Sequence, residues 1–188
     1  SRDIERIDVA LASHIHYDHY GGFVAGADDQ GRGLLEILPV GLFLDVAVVS
    51  GNRAEHADLR NSLATAGVPR LEVAAGQTDA SAPAALAWDP EVRVMVLSAG
   101  SQPEWANISY EGTRLNNDSI VLRLGFGAVD LICGGDCEVE GEARILTYYG
   151  PDLDGVEFFK AHHHGRYDAN SLSFVQAVAP RVCLIPVA

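Results

Sequence analysis

Positive charge is scarce in this chain, with 13 Lys and Arg against 26 Asp and Glu over 188 residues and a formal net charge of -13 at pH 7. A chain so acidic repels polyanions at long range, which disfavours non-specific binding to nucleic acid or to an anionic membrane surface. Cysteine is scarce too. The three thiols, Cys133, Cys137 and Cys183, are odd in number and follow neither zinc-finger nor dithiol spacing, so a disulfide framework is excluded. Cys133 and Cys183 sit in apolar runs and are expected to be buried, while Cys137 is either buried likewise or lines a site beside Asp136. No apolar run reaches the length of a membrane span, and the amino-terminal residues show neither a Met nor a signal-peptide pattern. Repeats and low-complexity tracts are also missing.

What is present suits a packed core. At 48% hydrophobic with 19 glycines, residues 1–188 are expected to form a single domain. The chain opens in charged residues just ahead of a strand and closes in strand-like residues 182–185, which predicts that it is part of something longer. Apolar and β-branched patterning predicts strands at 7–12, 45–50, 70–73, 92–97, 119–124, 129–133, 156–161 and 182–186. Helices are expected at 56–66, 139–148 and 171–178, with a loop or short helix at 26–38 and loop with strand edge at 74–89. Strands outnumber helices, and hairpins fall near the middle. That mixture predicts an α/β (α+β) architecture of two packed sheets covered by helices.

Within six positions, His14, His16, Asp18 and His19 place three imidazoles and a carboxylate at the end of the first strand. Residues two apart in an extended segment face the same way, so His14 and His16 can address one ion while Ile15 turns aside. Asp18 and His19 fall at an expected turn bent by Gly21 and Gly22, within reach of a second ion. Imidazole and carboxylate suit Zn, Mn or Fe, and the lack of thiolate argues against a closed structural zinc site.

Two later strand ends carry similar chemistry. Residues 129–136 form an apolar run ending Gly134-Gly135-Asp136, where Asp136 is either a carboxylate bridging two metals or the N-cap of the next helix. Residues 158–165 run from an apolar strand into His162-His163-His164-Gly165. In extended backbone His162 and His164 share a face and His163 takes the other, giving one or two ligands and one supporting or substrate contact.

The order of these motifs, with residues 115–124, Glu142 and a closing Ala179-Pro180, resembles the metallo-β-lactamase superfamily and, more narrowly, the hydrolase domain of the ComEC/Rec2 competence proteins and their soluble relatives. The resemblance implies an αββα sandwich that lacks its first strands, with the site where strand ends meet. It also implies that His14 and His16 ligate one metal, Asp18 and His19 the other, that Asp136 bridges, and that His163 is the last histidine ligand. The implied cofactor is one or two divalent metals, zinc foremost, with Mn or Fe as substitutes.

Three departures from the family pattern bear on the site. A further histidine often lies between the first run and the bridging aspartate; the single histidine there, His56 within residues 52–56, is expected at the surface, which leaves one metal position open or weakly held. His162 stands where relatives have Pro, and Arg166 where they have Ser. Arg166 suits an anionic group.

An intact site implies hydrolysis by a metal-bound hydroxide, since a divalent ion lowers the pKa of its water to about 7 and polarises the scissile bond. Asp18 is the expected catalytic carboxylate, and Arg166, Tyr167 and Asn116 the expected substrate contacts, although Asn116-Asn117 also reads as a turn before a strand. A small anionic substrate, a phosphodiester or phosphate ester, fits the charge better than an extended nucleic acid. The alternatives are a non-catalytic metal-binding regulatory module and a lactone, lactam or thioester hydrolase.

Overall fold

The computed structural model describes residues 4–26, 29–47, 49–50 and 54–186. Its first sheet is parallel, in the order β1 (Ile7–Leu11), β2 (Val40–Val46), β3 (Arg70–Val73), with Ile7 paired to Val40 and Phe43 to Arg70. The second sheet runs β4 (Val92–Ser98), β5 (Val121–Phe126), β6 (Val129–Cys133), β7 (Phe158–Lys160), β8 (Val182–Leu184). Of the expected hairpins β5 and β6 form one, β4 pairs antiparallel with β5 across a long connection, and β6 to β8 are parallel.

Side-chain alternation divides the interior into three layers of contact. Leu44 and Val46 of β2 face Val94, Val96 and Leu122 of the second sheet, forming the core between the sheets. Their neighbour Phe43 points the other way and packs with Tyr20, Leu59 and Leu63. Those three come from α1 (Tyr17–Val24) and α3 (Ala54–Thr65), which cover the outer face of the first sheet, while α2 (Leu34–Ile37) is a single turn within the expected loop. On the second sheet Val121, Ile132 and Phe159 turn outward onto Ile145, Phe174 and Val178 of α6 (Val139–Tyr149) and α7 (Leu172–Val178). The layers therefore run helix, sheet, sheet, helix.

Local signals set the helix ends. In α3, His56, Leu59 and Leu63 recur on the buried face, and the helix stops where Gly67 takes φ +69°. The Val68 N–H then donates to Leu63 O (2.9 Å) and the Gly67 N–H to Ala64 O (3.1 Å), a Schellman closure. Helix α7 starts at Ser171, whose hydroxyl accepts from the Phe174 N–H at 3.3 Å.

Several expectations need correction. The strand expected at 45–50 lies earlier, at β2, and residues 48 and 51–53, including Asn52 and Arg53, fall outside the described residues. Asp18, His19, Gly21 and Gly22 form helix and not a turn, because Tyr20, Phe23 and Val24 pack onto Phe43 and Leu59, and that tertiary burial outweighs the low propensity of two glycines. Two further helices appear: α4 (Pro83–Leu86), inserting Ala85 and Leu86 at the edge of the inter-sheet core, and α5 (Glu111–Asn117). Cys183 is exposed on the edge strand β8, Cys133 on the central strand β6 is half-buried against the inter-sheet core, and Cys137 is buried in the outer core. His56 is not a surface residue. It is buried, with its imidazole N–H on Asp45 at 2.9 Å, and Asp45 also accepts from Arg60 (2.8 Å) and Arg70 (2.9 Å).

Candidate metal centre

Three chain segments converge where the ends of the two sheets meet. The segment after β1 supplies His14 and His16 and leads into α1, which carries Asp18 in its first turn and His19 one residue on. The Ser13 carbonyl accepts from the Ile120 N–H at 2.7 Å, tying this segment to the entrance of β5. After β6, Gly134 and Gly135 lead to Asp136; a Cβ on Gly135 would collide with the Ser13 and Ser119 side chains. After β7 the chain turns through His162–Gly165, and the His163 N–H donates to Gly135 O at 3.1 Å.

Asp136 is the hub. Its Oδ2 lies 3.1 Å from His19 Nε2, 3.7 Å from His163 Nε2 and 3.9 Å from His14 Nε2, and its Oδ1 lies 3.6 Å from His164 Nε2. His16 Nδ1 approaches His14 Nε2 at 3.0 Å, and Asp18 Oδ2 approaches His19 Nε2 at 3.5 Å. Ser13 Oγ sits 3.2 Å from Nδ1 of His14 and 3.1 Å from Nδ1 of His19, which turns the Nε2 atom of each toward Asp136. Ser119 Oγ accepts from the Asp136 N–H at 3.0 Å. Neither serine stood out in the sequence, where their place beside the ligand run and before β5 was the sole signal.

The carboxy-terminal histidines depart from expectation. The segment is not extended: His163 and His164 take φ of +44° and +53°, left-handed values that non-glycine residues rarely adopt and that cost about 1–3 kcal/mol each. That turn brings both imidazoles toward Asp136, where extended backbone would have separated them. His163 Nδ1 lies 2.9 Å from Asp168 Oδ1 and 3.5 Å from Glu138 Oε1, and its Nε2 faces Asp136. His162 is buried away from the site, its Nδ1 on Glu142 Oε1 at 2.9 Å, and Glu142 also accepts from the N–H groups of Asn170 and Ser171 at 2.7 Å each. Helix α6 thereby anchors the ligand turn.

The residues present fit a divalent ion. Asp18, His19, Asp136 and His164 offer one ligand atom each within 4.8 Å of one another; His14, His16 and Asp136 form a second such set, and Glu138, His163 and Asp168 a third. Oδ1 of Asp136 is buried without a hydrogen-bond partner, and the donors are imidazole and carboxylate with no thiolate. Burial works to raise the Asp136 pKa, but the His19 hydrogen bond and charge, with His14 and His163, hold it down at about 2. Burial, aided by His19, drives the His14 pKa well down, and burial also lowers that of His16, so both are neutral and ligand-ready at pH 7. Lys160, its pKa lowered by burial, donates to Gly134 O at 2.9 Å and adds a cation behind Asp136.

A cleft of about 550 Å³ opens onto this cluster, lined among others by Asp18, Asn116, Arg166 and Tyr167. Arg166 pairs with Asp168 at 3.2 Å. Asn116 lies in α5, not in a turn, and donates to Glu138 Oε1 at 2.6 Å; Asn117 Oδ1 accepts from the N–H groups of Glu138 (2.9 Å) and Gly141 (3.0 Å), satisfying the start of α6. Glu138, not Asp136, occupies the N-cap position of that helix, so Asp136 is left to the site.

The chain matches no family model. It is 31% identical over 70 residues to ComE operon protein 3 of Bacillus subtilis (strain 168), a stretch covering 37% of this chain and 9% of that protein. Among solved structures it is similar to CmlA, a diiron β-hydroxylase from Streptomyces venezuelae, with a TM-score of 0.51 and 15% identity over 96% of this chain and 35% of CmlA. Zn(2+)-bound PqqB from Methylobacterium extorquens matches at a TM-score of 0.43 and 18% identity over 82% of this chain and 45% of PqqB. This chain thus spans about a tenth of the length of the curated relative and about a third of CmlA. The likeness to CmlA shows the fold alone: the chain has the α/β metallo-β-lactamase fold that the motif order implied. No helix among the described residues is long and apolar enough to cross a membrane.

Proposed function

We propose that this chain is a metal-dependent hydrolase acting on a small phosphodiester or phosphate ester. The observation that carries the proposal is the convergence of His14, His19, His163 and His164 on Asp136 at the mouth of an open cleft. A structural metal site has no use for such access.

The four donors Asp18, His19, Asp136 and His164 would hold one ion, and His14, His16 and Asp136 a second, with His163 adding to either. The second set has one donor fewer than the first, so it is the weaker. A bound divalent ion supplies Lewis acidity, lowering the pKa of its water to about 7 and polarising the phosphoryl group. Zinc suits the donors, with Mn or Fe as alternatives. Asp18, whose side chain is 69% exposed at the cleft edge, takes the proton of the attacking water on its carboxylate and passes it to the leaving oxygen. Arg166 and Tyr167 reach the outer part of the cleft and bind the anionic group, and Asn116 positions Glu138 behind His163. The net charge of -13 supports a small ester over an extended polynucleotide.

The test is a panel of phosphodiester, phosphomonoester, lactone and thioester substrates offered to metal-free protein and to protein supplied with Zn, Mn or Fe. Phosphoester turnover restored by metal is the expected result. Turnover confined to the other esters would move the substrate class, oxygen-dependent oxidation with iron alone would replace hydrolysis, and no turnover with tight metal binding would leave a binding module.

A further inference from the structure

A second cleft, of about 750 Å³, adjoins the metal cleft and shares Tyr110 and Thr113 with it. One wall is the outer stripe of α6, where Glu140, Ala143 and Thr147 recur at helical spacing with Arg144 and Tyr148 beside them, while Gly141, Glu142 and Ile145 are buried on the opposite side. Ala143 and Thr147 are small and leave the middle of that wall open. The facing wall comes from the 3-10 turn Pro103–Asn107 and the residues after it, with Trp105 buried to 3% and Ile108 and Tyr110 beyond.

Exposed tyrosine rings stand on both walls and the positive charge is engaged. Tyr110 and Tyr148, 72% and 58% exposed, face the cleft from opposite sides. Arg144, the one cation among the lining residues, lies 2.7 Å from Glu104 and 4.6 Å over the Tyr148 ring. Among the described residues no cation pairs with Glu140, which accepts from Asn117 at 3.3 Å. An anionic tail would meet unneutralised carboxylate here, whereas a neutral ring would meet other rings. Tyr110 is also held at the junction: a Cβ on Gly112 would stand 2.6 Å from its ring, so α5 can carry that ring across its first turn because Gly112 has no side chain.

We propose that this second cleft holds the non-reacting substituent of the substrate, an uncharged aromatic or bulky apolar group on the ester whose phosphoryl end occupies the metal cleft. The proposal rests on the phosphoesterase function above and names the substrate class more narrowly. It makes the chain selective for aryl-substituted diesters through contacts remote from the reacting atoms, where binding energy can be used for orientation.

The experiment compares kcat/KM for bis-p-nitrophenyl phosphate and methyl p-nitrophenyl phosphate, which share a leaving group and differ in the substituent that stays. Wild type is set against Ala143→Trp and Thr147→Trp, substitutions on the exposed stripe that fill the cleft. The aryl-to-methyl ratio is expected to fall at least tenfold in both variants. In parallel, 2-naphthol is titrated by calorimetry into metal-free protein; saturable binding by wild type, weakened at least tenfold in the variants, is expected. An unchanged ratio, or naphthol binding indifferent to both substitutions, overturns the proposal. If wild type hydrolyses neither diester, the phosphoesterase function falls, and the naphthol titration still decides whether the cleft takes an aromatic group.

Discussion

Nε2 of His19 lies 3.1 Å from Oδ2 of Asp136, joining the first helix to the end of the sixth strand across 117 positions of sequence. This contact brings the two halves of the candidate ligand set together, so whatever holds those two chain segments in place controls the candidate metal centre.

Asp45 is buried at the end of β2 and receives His56, Arg60 and Arg70. Asp45→Ala should cost about 3–5 kcal/mol, because it leaves three donors without their acceptor. Burial alone would raise the Asp45 pKa, but the His56 hydrogen bond and charge, with Val46 N–H and Arg60, bring it to about 2. A depressed carboxylate stabilises the fold above its unfolded pKa near 4 and loses that contribution as pH falls through about 2. Urea denaturation should therefore show the deficit of the variant at pH 7 shrinking by about 2 kcal/mol as pH falls toward 2, with the rest persisting.

Asp118 shows the opposite sign. Burial raises its pKa to about 7, against the opposing hydrogen bonds of the Ser50 N–H and hydroxyl and the charges of His56 and Arg114. Between about pH 4 and pH 7 the unfolded chain releases this proton while the folded chain retains it, so stability declines across that window. Asp118→Asn should match wild type below pH 4 and gain on it as pH rises to 7, by about 1–3 kcal/mol, with no further gain above. Thermal denaturation at five pH values would show this, and a constant difference between the proteins would contradict it.

Gly135 passes between Ser13 and Ser119 with no room for a side chain. Gly135→Ala should lower stability by about 1–3 kcal/mol through overpacking. It should also weaken metal binding, because Ser13 is the residue that orients His14 and His19. Metal titration of the folded variant separates the two effects.

Arg166 is exposed beside Asp168 at the outer cleft. Arg166→Ala should raise KM for an anionic ester several-fold while changing kcat little, and Arg166→Lys should recover part of the loss. Steady-state kinetics on a phosphodiester and on an uncharged ester would show whether the effect follows the charge.

Much of this arrangement is legible in the residues. Strands β3 and β6 fall at their expected bounds, and β1 ends one residue early. The approach of His14, His16, Asp18, His19 and Asp136 follows from strand ends that deliver them to one edge. Helix α1 is not legible, since Gly21 and Gly22 signal a turn and the stabilising partners Phe43 and Leu59 lie on distant segments. His56 escaped for a related reason: once β2 is placed too late in the chain, Asp45 no longer sits at a buried strand end as its partner. The approach of His164 to Asp136 depends on two consecutive left-handed residues, which local propensity argues against.

The most direct measurement is metal content per folded chain, by elemental analysis after equilibration with Zn, Mn or Fe, together with phosphodiester turnover, for wild type and Asp136→Ala. One to two ions per wild-type chain with turnover, and loss of both in a variant that remains folded, is the expected result. A wild-type chain that binds no metal and turns over no ester, or an Asp136→Ala variant that keeps its metal and its rate, would contradict a hydrolytic centre built around Asp136.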